Sequence, residues 1–282
     1  MNNDVNSEQT VEEIDSTTEK SNTEKRKKVI IIASSIAVLC VAFVIVLITV
    51  IIPKSKLHNL SKKMAKKIST TEVGEDITFG KYEQDNNTSN GKEDIEWIIL
   101  AKENGKTLLI SKYGLDVQQY NTDKGSVTWE NCTLRQWLND TFINDAFNAD
   151  ERTMIQNTYL PSENNPKYGT DSGNDTNDKI FVLSLTEAQK YFTTNESRMC
   201  HPTAFAKANA NGEWRNEGFC RWWLRTPGIS QEYTSDVTED GNINYLLGKF
   251  VDADWETYSF PDFSMILSGD AVRPAMWIDL ES

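Results

Sequence analysis

The chain has 282 residues, 38% hydrophobic, 10% aromatic and 25% charged, enough apolar material for one or two packed domains and too much for wholesale disorder. Its formal charge of −13 is the sum of three unlike blocks: −2 over residues 1–28, +6 over 29–70 and −17 over 71–282. A body that acidic repels phosphate backbones, which argues against nucleic acid as a partner.

Residues 1–24 hold only Val5, Val11 and Ile14 as large aliphatic side chains, too few to offset the entropy of ordering the chain. Residues 1–28 therefore read as a disordered acidic tail with a basic end, Lys25-Arg26-Lys27-Lys28. Next comes VIIIASSIAVLCVAFVIVLITVII, residues 29–52, 24 positions without a charge and closed by Pro53. At about 1.5 Å per helical residue this exceeds a hydrocarbon core of roughly 30 Å, so it is expected to cross a membrane once as a helix embedded in lipid. No small-residue exit follows it, so the anchor is expected to be retained. Basic residues nearly balance across the span. The contiguous cluster at 25–28 abuts it and favours a cytoplasmic N-terminus and an extracytoplasmic C-terminal body.

Residues 53–71 are a basic stalk in which Leu57, Leu60, Met64 and Ile68 recur at helical spacing. That segment serves either as an amphipathic helix on anionic headgroups or as a plain spacer. The remainder, 72–282, is expected to form one compact domain of the α+β class, with antiparallel hairpins and short helices.

Within it, Ile77-Thr78-Phe79-Gly80 opens the first strand. Residues 95–101 (IEWIILA) and 107–111 (TLLIS) flank Asn104-Gly105, a type I′ hairpin signal because both turn residues tolerate positive φ. Leu134, Trp137, Leu138 and Phe142 mark a helix after Thr133, and Asn148 with Glu151 marks the start of another. Residues 180–185 read as a buried strand, 186–192 as a short helix with Gln189 at the capping-box position, and 202–210 as a further helix. Residues 233–239 and 242–246 flank Asp240-Gly241 as a second hairpin of type I′, and 272–280 (VRPAMWIDL) is a closing strand that Pro274 confines to an edge or bulge.

Candidate binding residues cluster late in the chain. Strand alternation in WWLRTPG (222–228) puts Trp223 and Arg225 on one face. Trp222, Trp223 and Arg225 are then either a stacking platform for a sugar or peptide, or a buried aromatic core in which the arginine pairs a carboxylate; Arg273 carries the same two readings. The loop 248–270 sets Trp255 and Tyr258 among acids, a composition suited either to recognition or to a lid on the core. Asp171, Asp175 and Asp178, with Asn174, offer hard oxygen ligands for Ca²⁺, although Asx turns account for the same residues.

Catalytic chemistry has few carriers. The chain has two histidines, His58 and His201, so no three-histidine metal site can form, and Cys200 beside His201 is a poor dyad because sequence neighbours seldom face each other. Outside the span lie Cys132, Cys200 and Cys220, and Cys200 with Cys220 is the disulfide that proximity favours. Glu239 and Asp240 adjoin in a turn and read as surface charges rather than a glycosidase pair.

The blocks ITFGKYEQ (77–84), IEWIIL and GKTLLISKYGLD (95–116), VTWENCTLRQWLN (127–139), YGTDSGNDTNDKIFVLS (168–184), WWLRTPG (222–228) and VRPAMWIDL (272–280) together resemble a bacterial family catalogued as domain of unknown function 6273. The resemblance implies no activity. Residues 246–270 replace the family's short Tyr/Asn-rich loop. The last blocks more faintly resemble the C-type-lectin-like fold of formylglycine-generating enzymes and retroelement-diversified receptors. Formylglycine-generating enzymes bind copper through a C-terminal cysteine pair, and this chain has no cysteine after Cys220.

The expectation is a single-pass, membrane-anchored extracytoplasmic binding module that recognises an envelope glycan or protein ligand without turnover. The alternatives are a cell-envelope enzyme acting on glycan or peptide, and a structural or sensory surface protein.

Overall fold

The computed structural model describes residues 62–280 except 124, 211–217 and 251–269, the backbone alone at 245–250, and within the N-terminal part residues 24–25, 27–28, 32, 38–39 and 42–46. Two units emerge, Met1–Leu60 and Ser61–Ser282. In the first, the expected tail 1–28 and span 29–52 fall mostly outside the described residues. Their described members are helical, and Ile32, Val38, Leu39 and Phe43 are exposed. Among the described residues no helix is long and apolar enough to cross a membrane.

The second unit begins earlier than the expected boundary at residue 72. Residues 62–70 (α1) form a helix whose apolar face is already covered: Ile68 is 0% exposed within the core, and Met64 and Ala65 pack against it. The described part of the stalk is thus neither a spacer nor a headgroup-facing helix. Its apolar stripe belongs to the domain, and Lys102 Nζ donates to the Ser69 carbonyl at 2.8 Å to hold the helix end.

Strands β1 (Asp76–Tyr82), β2 (Glu93–Glu103), β3 (Lys106–Ser111) and β11 (Ala275–Asp279) form a four-stranded antiparallel sheet in that order. The β2–β3 hairpin turns at Asn104 and Gly105, with φ of 50° and 75°, as the Asn-Gly pair predicts. A second sheet runs β4 (Asp116–Val117), β10 (Ala271–Val272), β7 (Trp222–Pro227), β8 (Tyr233–Val237), β9 (Ile243–Phe250), antiparallel except where β10 meets β7. Strands β5 (Thr158–Leu160) and β6 (Thr176–Asp178) pair separately. The class is mixed α and β with antiparallel sheets and short helices.

The closing segment is two strands rather than one. β10 ends at Val272 in the second sheet and β11 starts at Ala275 in the first, so the chain changes sheets at Arg273-Pro274. Pro274 has no N–H to give a ladder, which makes it a natural breakpoint. The 238–242 turn also differs from a two-residue type I′ loop: Val237 pairs Ile243, Thr238 and Asn242 close the turn at 2.8 Å, and Gly241 alone takes positive φ, 76°.

Helix α2 runs through Thr133–Trp137, a π-helical turn Leu138–Phe142, and Ile143–Ala146, burying Leu134, Leu138 and Phe142. Next are α3 (Ala149–Met154), α4 (Leu185–Tyr191), α5 (Asn195–Arg198) and α6 (Ala204–Asn209). The Asn148/Glu151 capping box forms as expected. On α4 the box is Ser184/Glu187, so the helix starts before Thr186 and Gln189 has no capping role. Residues 180–184 are buried but are not a strand: Phe181 exchanges backbone bonds with Ala275 as an isolated bridge, and Leu183 accepts one from the Arg225 N–H, without a continuous ladder.

Candidate functional site

The residues singled out on β7 lie in the interior. Both faces of the strand are covered. The Trp222 indole N–H donates to the Arg198 carbonyl at 3.0 Å, and that of Trp223 to the Gln118 carbonyl at 2.8 Å. Phe192 and Tyr120 pack edge-on against the two rings. Arg225 bridges Glu187 with both terminal nitrogens and donates to the Val182 carbonyl at 3.0 Å. Burial works against the Glu187 charge, but Arg225 beside it holds the carboxyl below its ordinary value. Arg273 is likewise enclosed, between the rings of Phe192 and Trp222 at 4.9 and 5.0 Å. These four residues are therefore core, because indole faces already covered by protein present nothing for a sugar to stack on; Arg225 pairs a carboxylate as the second reading expects, and Arg273 pairs none among the described residues. Trp255 and Tyr258 lie outside the described residues.

The three aspartates proposed for Ca²⁺ do not converge. Asp178 is buried and accepts from Arg135 Nε at 2.7 Å, Trp129 Nε1 at 2.9 Å and Thr176 Oγ1 at 2.8 Å. Asp175 is exposed and accepts from the Tyr159 hydroxyl and the Ser162 N–H, which hold its carboxyl below the usual range. Asp171 caps its own turn through the Gly173 N–H at 3.1 Å. Local hydrogen bonding accounts for all three. Among the described residues, the acidic group that does gather is Glu83, Asp85 and Glu93, with oxygens within 4.8 Å of one another. It receives the backbone N–H groups of Gln84, Asp85 and Asn87. The alternating Glu83, Asp85, Asn87 and Ser89 was its signal in the sequence.

Two cavities stand out. The first, where Arg225 meets Trp129, Ser162, Ser172 and Ser184, encloses about 10 Å³, room for one water-sized sphere rather than a ligand. The second is an open cleft of about 640 Å³ between β1 and the end of α2 with the start of α3. Ligand sites ordinarily span roughly 300–1,000 Å³. Met64 and the nearly fully buried Phe79, Ala146 and Phe147 back the cleft, and its rim carries Lys81, Lys92, Arg152, Asp94, Asp145 and Glu151. The rim charges are equal in number and largely tied: Lys81 to Asp94 at 2.6 Å, Lys92 to Asp145, Arg152 to the Phe147 carbonyl, and Glu151 to the Asn148 N–H.

Gly80 shapes this wall. Its φ is +72°, and a Cβ there would lie 2.5 Å from the Phe147 ring, so only glycine lets β1 approach α2 so closely. The cleft was not apparent from sequence because its walls lie some sixty residues apart.

Cys132, Cys200 and Cys220 are free, buried thiols. The disulfide favoured by proximity is not formed, although Cys200 and Cys220 are neighbours. Cys200 and His201 do not form a dyad: the imidazole turns outward, stacks on Phe219 at 4.1 Å and meets the Gly218 carbonyl at 2.8 Å through Nδ1.

No curated protein and no solved structure matches the chain. One family model matches residues 104–280, from the β2–β3 turn to the end of β11, and so takes in the second sheet, β3 and β11 of the first, and every helix from α2 onward, while β1 and β2 precede it. The match covers more than half of the sequence, and the chain belongs to the family described as Domain of unknown function (DUF6273).

Proposed function

We propose that the protein is a single-pass, membrane-anchored binding module that holds a segment of a cell-envelope glycan or peptide, without turnover, in the cleft beside β1. The observation that carries this reading is the cleft itself, with its ligand-sized volume and rim of balanced charge. Three cations and three carboxylates leave the rim neutral, while the body at 71–282 carries −17. That combination suits an uncharged or charge-balanced polymer and disfavours a polyanion. Rim side chains already committed to one another favour holding a ligand over proton transfer, which needs a group free to titrate. The uncharged stretch 29–52 supports anchoring, and the basic cluster at 25–28 supports an extracytoplasmic body. The C-type-lectin-like likeness rests on the order of the sequence blocks and would be compatible with such a role.

A glycan and peptide array probed with detergent-solubilised full-length chain tests the reading. Binding by the wild type and loss of it in Ala149→Trp, which fills the cleft from the exposed start of α3, is the expected result. Binding that survives Ala149→Trp places the site elsewhere, and time-dependent product formation from any bound component replaces the binding module with an enzyme.

A further inference from the structure

We propose that Cys200 and Cys220 are a dithiol oxidised by hydroperoxides, with Cys200 as the attacking sulfur and Arg273 as the residue that positions and stabilises its thiolate.

The geometry begins with the chain crossing between the sheets. Arg273 is 1% exposed, donates through Nε to the Ser111 carbonyl at 3.0 Å, and reaches the Arg198 carbonyl through Nη1 at 3.4 Å. Among the described residues no carboxylate pairs with it, whereas Arg135, Arg221 and Arg225 each have one. A guanidinium keeps its charge, and a buried charge without a counterion is costly, so an anion close by is favoured.

Cys200 is the group placed to supply it. Its sulfur faces the carbonyl of Lys112, next to the carbonyl that Arg273 holds, and it follows Arg198 by two residues. Cys220 is locked alongside: its N–H donates to the Cys200 carbonyl at 2.8 Å and its sulfur lies 3.2 Å from the same oxygen. Burial opposes ionisation of Cys200, but the Cys220 hydrogen bond and the Arg273 charge bring its thiol down to about 7, while burial pushes Cys220 well up. Of the two sulfurs, Cys200 is the one whose thiolate is favoured.

The sulfurs are closely packed. A Cβ at Gly114 would come within 3.0 Å of the Cys220 sulfur. Cys200 and Cys220 are 1% and 0% exposed, so the oxidant is a small one, a hydroperoxide rather than a bulky disulfide. The Cys200 thiolate attacks one peroxide oxygen and the O–O bond breaks. The leaving oxygen departs as water, or as an alcohol from an organic hydroperoxide, after taking up a proton, and leaves a sulfenic acid on Cys200. The Cys220 sulfur then displaces that hydroxyl: the S–S bond forms, the S–O bond breaks, and the thiol proton leaves with the hydroxyl as water. The two thiols are oxidised by two electrons and one peroxide is reduced. The disulfide would close residues 200–220, the segment carrying α6, onto the start of β7.

Cys132 supplies an internal comparison. It is as deeply buried, has no thiol neighbour, and its thiol is pushed up to about 12 by burial. The test treats the folded full-length chain with hydrogen peroxide and follows each cysteine by peptide mass. The expected result is a linked Cys200–Cys220 peptide pair two hydrogens lighter, formed at least tenfold faster than any oxidation of Cys132. In Cys220→Ala, Cys200 should instead stop at a sulfenic acid that a dione reagent traps. Oxidation of Cys200 no faster than Cys132, or conversion of Cys200 and Cys220 to separate sulfinic acids without a link, overturns the proposal. The wild-type comparison decides this even if Arg273→Lys fails to fold. Where that variant folds, slower linking supports the role of Arg273 and an unchanged rate removes it.

Discussion

The guanidinium of Arg225 grips the carboxylate of Glu187 with both terminal nitrogens, Nη2 lying 2.9 Å from Oε1, and the same carboxylate accepts the Ser184 backbone N–H at 2.9 Å. One side chain thus caps α4 and pins it to β7. Arg225→Met leaves the carboxylate without its partner. It is expected to cost about 3 kcal/mol, the low end for a broken buried pair, because the Glu187 side chain is 25% exposed. The double variant Arg225→Met/Glu187→Met should recover much of that loss, as measured by denaturant unfolding.

The same pair sets a pH dependence. The Glu187 carboxyl is held below its ordinary value when folded, so the unfolded chain binds its proton first as pH falls. Its contribution is complete above the ordinary glutamate value and is lost as pH drops through the folded value. Unfolding followed from neutral pH downward should lose less stability over this window in Glu187→Gln than in the wild type.

Asp116 has the opposite sign. Burial raises its carboxyl above the ordinary value, even though the Tyr82 hydroxyl donates to it at 2.5 Å. Folding therefore favours the protonated form, and stability falls as pH rises from the ordinary aspartate value through the folded one. Asp116→Asn keeps an acceptor for Tyr82 and removes the charge. Its stability curve should be flat where the wild type declines, with little loss at neutral pH.

Gly241 couples the β8–β9 turn to α5. Its φ is 76°, and a Cβ there would lie 1.9 Å from the Asn195 carbonyl oxygen. Gly241→Ala should cost about 1–3 kcal/mol from backbone conformation alone, with the clash adding to it. A thermal midpoint equal to wild type would contradict this packing.

Ile68 tests where the domain starts. Fully enclosed on α1, it should cost about 2–5 kcal/mol when changed to alanine. A headgroup-facing helix or free spacer would tolerate the change, so unaltered unfolding would return residues 62–70 to the stalk.

What could be read from sequence follows from how local each device is. Asn104-Gly105 and the Asn148/Glu151 box are complete within a few residues, so their chemistry alone specifies a turn and a helix start. Arg225 and Glu187 stand 38 positions apart, and no spacing rule joins them. The same distance problem hides the cleft, behind which Phe79 from β1 packs on Phe147 from beyond α2, at 5.3 Å between ring centres. Pro274 announced an interruption, but a sheet change at that point depends on what β3 and β7 leave unpaired, which is a tertiary fact. The Trp222-Trp223 pair left a sugar platform and a buried core both open, because the same composition serves either.

The most direct test of the account is co-sedimentation of the detergent-solubilised full-length chain with lipid-free cell-wall material, comparing wild type with Ala149→Trp. Saturable binding by the wild type, weakened at least tenfold by the variant while its unfolding midpoint is unchanged, is the predicted result. Equal sedimentation of the two proteins, or none by either, contradicts a binding role for the cleft.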